Sequence, residues 1–231
     1  MSQSFVLINE STSASPLSSQ VTETWLASVS AAVTIQLNRD VSPNWGGEYT
    51  VRAGQASQVA PGEIVFALVD TLPDAPAAIA YHDVNGNALP VAYLGLALCS
   101  TLDDVSIAIS HECCETAGDA GCNGWQDDGS GHEWARELCD AVESSSYIIN
   151  EVRVSDFVLP SFFTPNAPAP YSYTESVGAT VTAGPFVTRP GGYQITRSSS
   201  GTETQVNGTV KAHRAAKLGH WSSRAKRRGS R

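Results

Sequence analysis

The chain has little of what marks secreted or membrane-spanning proteins. Its 231 residues include no apolar run that approaches the roughly 18–20 residues of a membrane span. The first residues, MSQSFVLINEST, lack a basic start and a long apolar stretch, so we expect no signal peptide. The five cysteines are an odd number without a CxxC pair, which is not the pattern of a disulfide framework. We therefore expect reduced thiols, synthesis in a cytosol and no membrane partner.

Basic residues are scarce over most of the chain. Residues 1–200 contain 22 Asp and Glu but only 6 Lys and Arg, a balance of −16. Residues 201–231 contain 8 Lys and Arg against a single Glu, a balance of +7, and the two segments sum to −9. An acidic body with a basic C-terminal tail predicts that the tail has a role of its own.

The basic side chains of the tail recur at helical spacing. Six of them follow intervals of 4, 3, 4, 3 and 4 residues: His213, Lys217, His220, Arg224, Arg227 and Arg231. A basic helical face can bind a phosphate backbone, anionic lipid or an acidic protein groove, and a solvated tail is the alternative. Nucleic acid is thus a possible partner of the tail, although the acidic body would repel DNA.

The apolar pattern predicts an α+β fold with a mixed sheet. A long amphipathic N-terminal helix is expected from Ser19 to about Arg39, capped by Ser18 or Ser19. Asn85-Gly86 predicts a turn between two strands. Strands are expected at 5–9, 49–53, 63–70, 77–82, 90–99, 147–149 and 151–155, and weaker ones at 179–182 and 193–197.

One hexapeptide, Ser110 to Glu115, has the form His-Glu-x-x-Glu, one residue away from the HExxH of zinc peptidases. On a helix, His111 and Glu115 lie one turn apart on the same face and can reach one cation. Glu112 would then point at a metal-bound water, where a general base must be. The second carboxylate is a harder ligand than histidine and should weaken the metal's acidity toward water. An ordinary helix with exposed acids is the alternative.

A metal site also needs a third protein ligand. In zincins that use a carboxylate as the third ligand, it lies about twenty residues after the second. Glu137 follows Glu115 by 22 residues, Glu133 by 18 and Asp140 by 25. We predict Glu137, with Asp140 as the next choice, and zinc or another divalent metal as the ion.

The other histidines and cysteines receive weaker assignments. His132 lies in a glycine-rich stretch and is expected in solvent, whereas His82 is expected to be a core or edge histidine rather than a ligand. Cys113 and Cys114 lie between the ligands of the motif. They are expected to be small buried side chains, because soft thiolates would be at odds with the carboxylates around them.

The order of elements is also informative. A strand, a helix, a series of strands and then a helix with the ligand motif is the layout of the zincin peptidase domain. In that domain, an edge strand beside the active helix holds extended substrate by backbone pairing. Here that strand would be 77–82 or 91–98. The sequence therefore predicts a zincin-like sheet packed against the long N-terminal helix and the HExxE helix.

Three separate motifs resemble a family of zincin-like proteins encoded by phages and prophages. Its pattern looks like HEVLE…EVCDPVE…VS(N/D)FVLP, and this chain reads HECCE from His111, ELCDAVE from Glu137 and VSDFVLP from Val154. Gly191-Gly192-Tyr193 and the basic tail are also similar to the family. The chain departs from it at Cys113-Cys114 and at Ala141, where the family usually has aliphatic residues and proline.

The resemblance implies a virion-associated structural protein, made in the host cytoplasm. Its expected organisation is a zincin-like metal-binding domain over 1–164, a Pro/Ser/Gly-rich β extension over 165–200 and the basic tail over 201–231. The tail would dock on an acidic surface of other virion proteins or of another copy in a homo-oligomer. The alternative is an active metal-dependent peptidase with Glu112 as its base.

Overall fold

The apolar segments of the first hundred residues form a five-stranded mixed sheet in a computed structural model that describes residues 2–12, 14–181 and 184–208. Its strands are β1 (Ser2–Asn9), β2 (Glu48–Gly54), β3 (Ile64–Val69), β4 (Ala80–Val84) and β5 (Pro90–Gly95). Their order is β2-β1-β3-β5-β4, with β4 antiparallel to β5 and every other neighbouring pair parallel. The five predicted strands and the turn between β4 and β5 therefore form, although β4 begins at Ala80 rather than Ala77 and β5 ends at Gly95 rather than Cys99. β4 is one of the two edge strands of the sheet.

β1 explains why this sheet holds the core. Residues 5–8, Phe-Val-Leu-Ile, are all buried, so side chains on both faces of the strand are covered. That is the expected composition of an inner strand in a parallel sheet. Burying each such side chain stabilises the fold by about 1.5–3 kcal/mol.

Four α-helices lie in the described part of the chain: α1 (Glu23–Ile35), α2 (Ser42–Trp45), α3 (Leu102–Asp119) and α4 (Tyr173–Ser176). Helix α3 packs against β4 and β5. It also packs against a later strand, β9 (Val152–Ser155). None of these helices is both long and apolar enough to cross a bilayer.

The N-terminal helix differs from the expected long helix over 19–39. Residues 15–21 form hydrogen-bonded turns, and Thr22, whose backbone is extended, caps the helix by accepting from the Trp25 N–H. The α-helix ends at Ile35, and a π-helical segment, Gln36–Val41, leads into Pro43 of α2. Proline cannot donate to the preceding turn, and this disfavours one continuous α-helix.

A second sheet joins distant parts of the chain. It contains β6 (Trp125–Asp127), β7 (His132–Ala135), β10 (Tyr193–Ser198) and β11 (Glu203–Asn207), in the order β11-β10-β7-β6. A separate hairpin consists of β8 (Ser146–Ile149) and β9 (Val152–Ser155). The strand predicted over 179–182 does not form at 179–181, and residue 182 lies outside the described residues.

The predicted domain limits stay a prediction, but all three segments contribute strands to one sheet. β10, from the expected β extension, pairs with β7 of the expected metal-binding domain. β11, which pairs with β10, belongs to the segment predicted as tail. The basic helical face predicted for 213–231 lies outside the described residues.

Candidate metal centre

Helix α3 presents the HExxE motif as expected. Thr101 caps the helix, and Asp104 completes a capping box with it. Val105 and Ile109 are fully buried and fix the rotation of the helix against the core. His111 Nε2 then lies 3.1 Å from Glu115 Oε1, so the motif's two proposed ligands meet one turn apart.

The edge strand β4 adds His82, which is 4% exposed. Its Nδ1 lies 3.0 Å from Glu112 Oε2 and 3.3 Å from Glu115 Oε2. The prediction assigned His82 to a core or edge position, and it is indeed buried on the edge strand. However, it belongs to the site, because β4 lies directly beside α3. The spacing of residues in the sequence does not predict that His82 lies close to Glu112 and Glu115.

The segment after β7 closes the cluster. Cys139 donates its backbone N–H to Glu115 Oε1 at 3.3 Å, which ties this segment to α3. Asp140 begins a short 3₁₀-helix and places Oδ1 3.3 Å from His111 Nε2. Glu137 Oε2 lies 3.6 Å from His82 Nε2. The two leading choices for a third ligand therefore both lie in the cluster, Asp140 beside His111 and Glu137 beside His82.

Two other candidates lie elsewhere. Glu133 forms an ion pair with Arg197, with Oε2 2.6 Å from the guanidinium, and it does not join the cluster. His132 is exposed and contacts Ser130, as its glycine-rich surroundings predicted. The assignment of His111, Glu115 and Glu137 as the ligand set stays a prediction.

Glycine is required where the C-terminal segment passes the site. A Cβ on Gly192 would lie 2.5 Å from the backbone oxygen of Asp140 and 2.7 Å from that of Ala141. Only glycine allows this approach, which holds the 3₁₀-helix of Asp140 in place. The next residue, Tyr193, has its pKa raised by burial and by the negative charge of Asp140 and neighbouring carboxylates. The Gly-Gly-Tyr motif is thus brought to the site.

The cysteines divide into two kinds. Cys113 and Cys114 are fully buried, and burial raises the pKa of both thiols, which agrees with a packing role. Cys139 is not among the ligands predicted from the sequence, yet its Sγ lies within 4.8 Å of ligand atoms of His111 and Glu115. The sequence signal for it is its position 24 residues after Glu115, close to the spacing expected of a third ligand.

Charges in the cluster compensate one another. Burial alone would raise the pKa of Glu115, but His111 and His82 lower it below its usual range. Burial alone would lower the pKa of His111, but Glu115, Cys139 and Asp140 raise it well above the usual value. The carboxyl of Asp140 has its pKa raised by burial and by Glu115. Nearby Glu143, which the sequence reading overlooked, has its pKa raised by burial to about 7.

Among the described residues, two sets of side chains have ligand atoms that lie within 4.8 Å of one another: His111, Glu115 and Cys139; and His82, Glu112 and Glu115. Imidazole nitrogen, carboxylate oxygen and thiolate sulfur are the donors that zinc takes in proteins. The cluster can therefore hold a divalent cation.

No protein-family model, curated protein or solved structure matches this chain.

Proposed function

We propose that this protein binds a divalent metal, zinc or a related ion, on a zincin-like domain. His111 and Glu115 would hold the ion, with the remaining ligand from Glu137 or Asp140. The observation that carries the proposal is the meeting of these side chains in a buried site. Asp140 Oδ1 is buried, and within the described residues it accepts no hydrogen bond of normal geometry. A metal cation would satisfy such an oxygen more fully than its 3.3 Å contact with His111 Nε2 does.

The order of the sheet supports a zincin-like scaffold. An antiparallel edge strand, β4, lies beside the helix that carries the HExxE motif. That arrangement is the one expected from the order of strands and helices in the sequence. It also places a backbone edge next to Glu112, where an extended peptide would have to lie if the domain were a peptidase.

We favour a structural role of the metal, in a virion-associated protein, over peptidase activity. Structural zinc sites are closed, whereas catalytic sites keep a position open to water. Here Glu112, Glu115, Glu137 and Asp140 are each at most 5% exposed, and the carboxylate of Glu112 is already paired with His82. The virion assignment itself depends on the three motifs and the basic tail. It places the protein in a phage particle, among other virion proteins or further copies of itself.

The peptidase alternative uses the same residues differently. A divalent ion would supply Lewis-acid polarisation of a carbonyl. Glu112 is then the residue that would accept a proton from water, and it would have to leave His82 to do so. The intact Glu beside His111 is the observation in favour of this alternative.

Metal analysis tests the proposal. Purified protein, dialysed against buffer without chelator, should retain zinc or another divalent metal by mass spectrometry. His111→Ala should lose metal, whereas His132→Ala, at an exposed histidine outside the cluster, should retain it. Wild-type protein that binds no divalent metal at micromolar concentrations would contradict the proposal.

A separate assay distinguishes the two roles. With metal bound, the favoured structural role predicts no hydrolysis of a peptide library or of virion proteins. The peptidase alternative predicts hydrolysis that Glu112→Gln abolishes while the metal held by His111 is retained. Turnover lost in that variant alone would replace the structural role by the catalytic one.

A further inference from the structure

The two carboxylate oxygens of Glu115 face two different imidazoles. Oε1 lies 3.1 Å from His111 Nε2, and Oε2 lies 3.3 Å from His82 Nδ1. The two histidines come from different elements, α3 and β4, and approach the carboxylate at different oxygens. Glu115 therefore stands between two groups of donor atoms rather than inside one.

Each group takes its name from its histidine, and each contains a second carboxylate in addition to Glu115. On the His111 side, Asp140 Oδ1 lies 3.3 Å from the imidazole, and Cys139 Sγ is within reach. On the His82 side, Glu112 Oε2 lies 3.0 Å from Nδ1. Glu137 Oε2 approaches the other nitrogen of the same ring at 3.6 Å.

These separations match those between ligands of a shared ion. Two ligand atoms bound to one zinc at about 2.1 Å in a tetrahedral arrangement lie about 3.4 Å apart. The imidazole–carboxylate separations of 3.0–3.3 Å in both groups are close to this value. Small adjustments of the side chains would be enough to admit an ion on either side.

Charge gives a second reason for two ions. Four carboxyl groups are buried in the cluster, each at most 5% exposed: Glu112, Glu115, Glu137 and Asp140. The two imidazoles of the cluster are too few to compensate all four of these acids when they are ionised. Burying such charges is costly unless they are paired or bind metal. A single divalent ion in one group would leave the acids of the other group without a metal cation.

The buried Asp140 Oδ1 points in the same direction. Within the described residues it accepts no hydrogen bond of normal geometry, although the side chain is almost inaccessible. Oδ1 faces the His111 group, so this group presents an acceptor that the protein itself leaves incompletely satisfied.

We propose that the cluster is a dinuclear metal centre in which Glu115 bridges two divalent cations, one in the His111 group and one in the His82 group. The proposal rests on the metal binding proposed above and extends it to a second ion. Glu112 is then a ligand of the second ion rather than a free base. Mixed imidazole and carboxylate donors suit zinc, manganese or iron, and they exclude sites designed for calcium or magnesium.

Stoichiometry provides the first test. Wild-type protein titrated with Zn²⁺ and measured by mass spectrometry after gel filtration should hold two ions per chain. One ion per chain would overturn the dinuclear centre and leave the proposed function intact. No bound ion would overturn both.

Electron paramagnetic resonance of the Mn²⁺-loaded protein provides a second readout. Two ions bridged by one carboxylate should give the signal of a coupled pair. An isolated six-line signal at full occupancy would overturn the bridge. This measurement does not depend on any catalytic activity.

Variants assign the two positions. His82→Ala should reduce the zinc content from two ions to one, and Glu115→Gln, which retains one carbonyl oxygen, should abolish the coupled signal. His132→Ala is the matched control and should retain two ions. Circular dichroism checks that each variant is folded, and the wild-type stoichiometry decides the question if a variant is not. Two coupled ions in His82→Ala would overturn the assignment.

Discussion

At the scale of single residues, an ion pair between Glu63 and Arg52 lies at the edge strand β2 of the main sheet. Glu63 Oε2 lies 2.5 Å from Arg52 Nη2, and it also accepts from the backbone of Ala60. Arg52 and this backbone N–H lower the pKa of Glu63 to about 2. The carboxylate therefore favours the folded state wherever it is ionised.

This pair predicts a dependence of stability on pH. Because the pKa is lower in the folded than in the unfolded state, the stabilisation is present above about pH 4.3 and is lost as the pH falls toward 2. Arg52 is 38% exposed, so screening limits the effect to about 1 kcal/mol or less. Urea unfolding at several pH values should show that the free energy of unfolding falls less steeply with falling pH in Glu63→Gln than in the wild type. Glu48→Gln, at an exposed position on β2, is the control and should follow the wild type.

At the scale of elements, helix α3 depends on its first turn. Thr101 accepts from the Asp104 N–H at 3.1 Å, and Asp104 accepts from the N–H groups of Ser100 and Thr101. Both residues satisfy donors that the helix leaves open at its N-terminus. The cap lies ten residues before His111, so it defines the start of the helix without touching the site.

Removal of the cap should therefore lower stability and spare metal binding. Thr101→Ala is expected to reduce the free energy of unfolding by about 1 kcal/mol. Chemical denaturation of the metal-free protein measures this change. Thr24→Ala, at an exposed position in α1, should change stability by less than about 0.5 kcal/mol. An equal effect of the two substitutions would contradict the role of the cap.

At the scale of the whole molecule, a buried cluster of charged side chains attaches the later part of the chain to the core. Arg189 donates to the Glu175 carboxylate, and Nη1 lies 3.6 Å from Asp156 Oδ2. All three residues are at most 8% exposed. The backbone N–H of Arg189 also donates to the Ala141 oxygen at 2.9 Å, next to the candidate metal centre. This cluster of charged side chains thus connects α4 and the VSDFVLP segment with the chain beside the candidate metal centre.

Removing the cation should destabilise the protein strongly. Arg189→Met would leave two buried carboxylates unpaired, at an expected cost of about 3–5 kcal/mol. Thermal or urea unfolding measures the loss. Arg153→Met removes the exposed pair with Asp103 and should cost at most about 1 kcal/mol. A loss of stability of similar size in both variants would contradict a larger contribution of the buried cluster than of the exposed pair.

We also predict a role for the tail at the scale of the whole molecule, in assembly. Residues 208–231 carry eight Lys and Arg and no acid, whereas the body is strongly acidic. We expect their deletion to leave the thermal stability of the rest nearly unchanged and to release the protein from its complex with other copies or virion proteins. Because several exposed ion pairs of about 0–1 kcal/mol each would be responsible, salt should weaken the complex of the full chain. Sedimentation at low and moderate salt measures the release of the truncated protein and the effect of salt on the complex of the full chain. Thermal unfolding measures the stability of the truncated protein. An unfolded truncated protein, or one that assembles normally, would contradict this role.

The sequence by itself determined the elements with strong local patterns. β1 and β3 are continuous apolar runs, Asn-Gly defines the turn after β4, and the HExxE helix has an apolar face. The pairing of His111 with Glu115 followed from helical geometry alone. The same geometry requires at least one of Cys113 and Cys114 to face the core, and both are buried.

Only the tertiary structure decided which distant residues join the motif. His82 reaches Glu112 because β4 is the edge strand next to α3, and strand order is not encoded in local spacing. Asp140 lies beside His111, whereas Glu137 lies beside His82, and both contacts depend on how the segment after β7 folds against α3 and β4. The start of α1 at Glu23 rather than Ser19 has a similar cause. Caps and turns compete within a few residues of each other, and the packing of the folded chain selects among them.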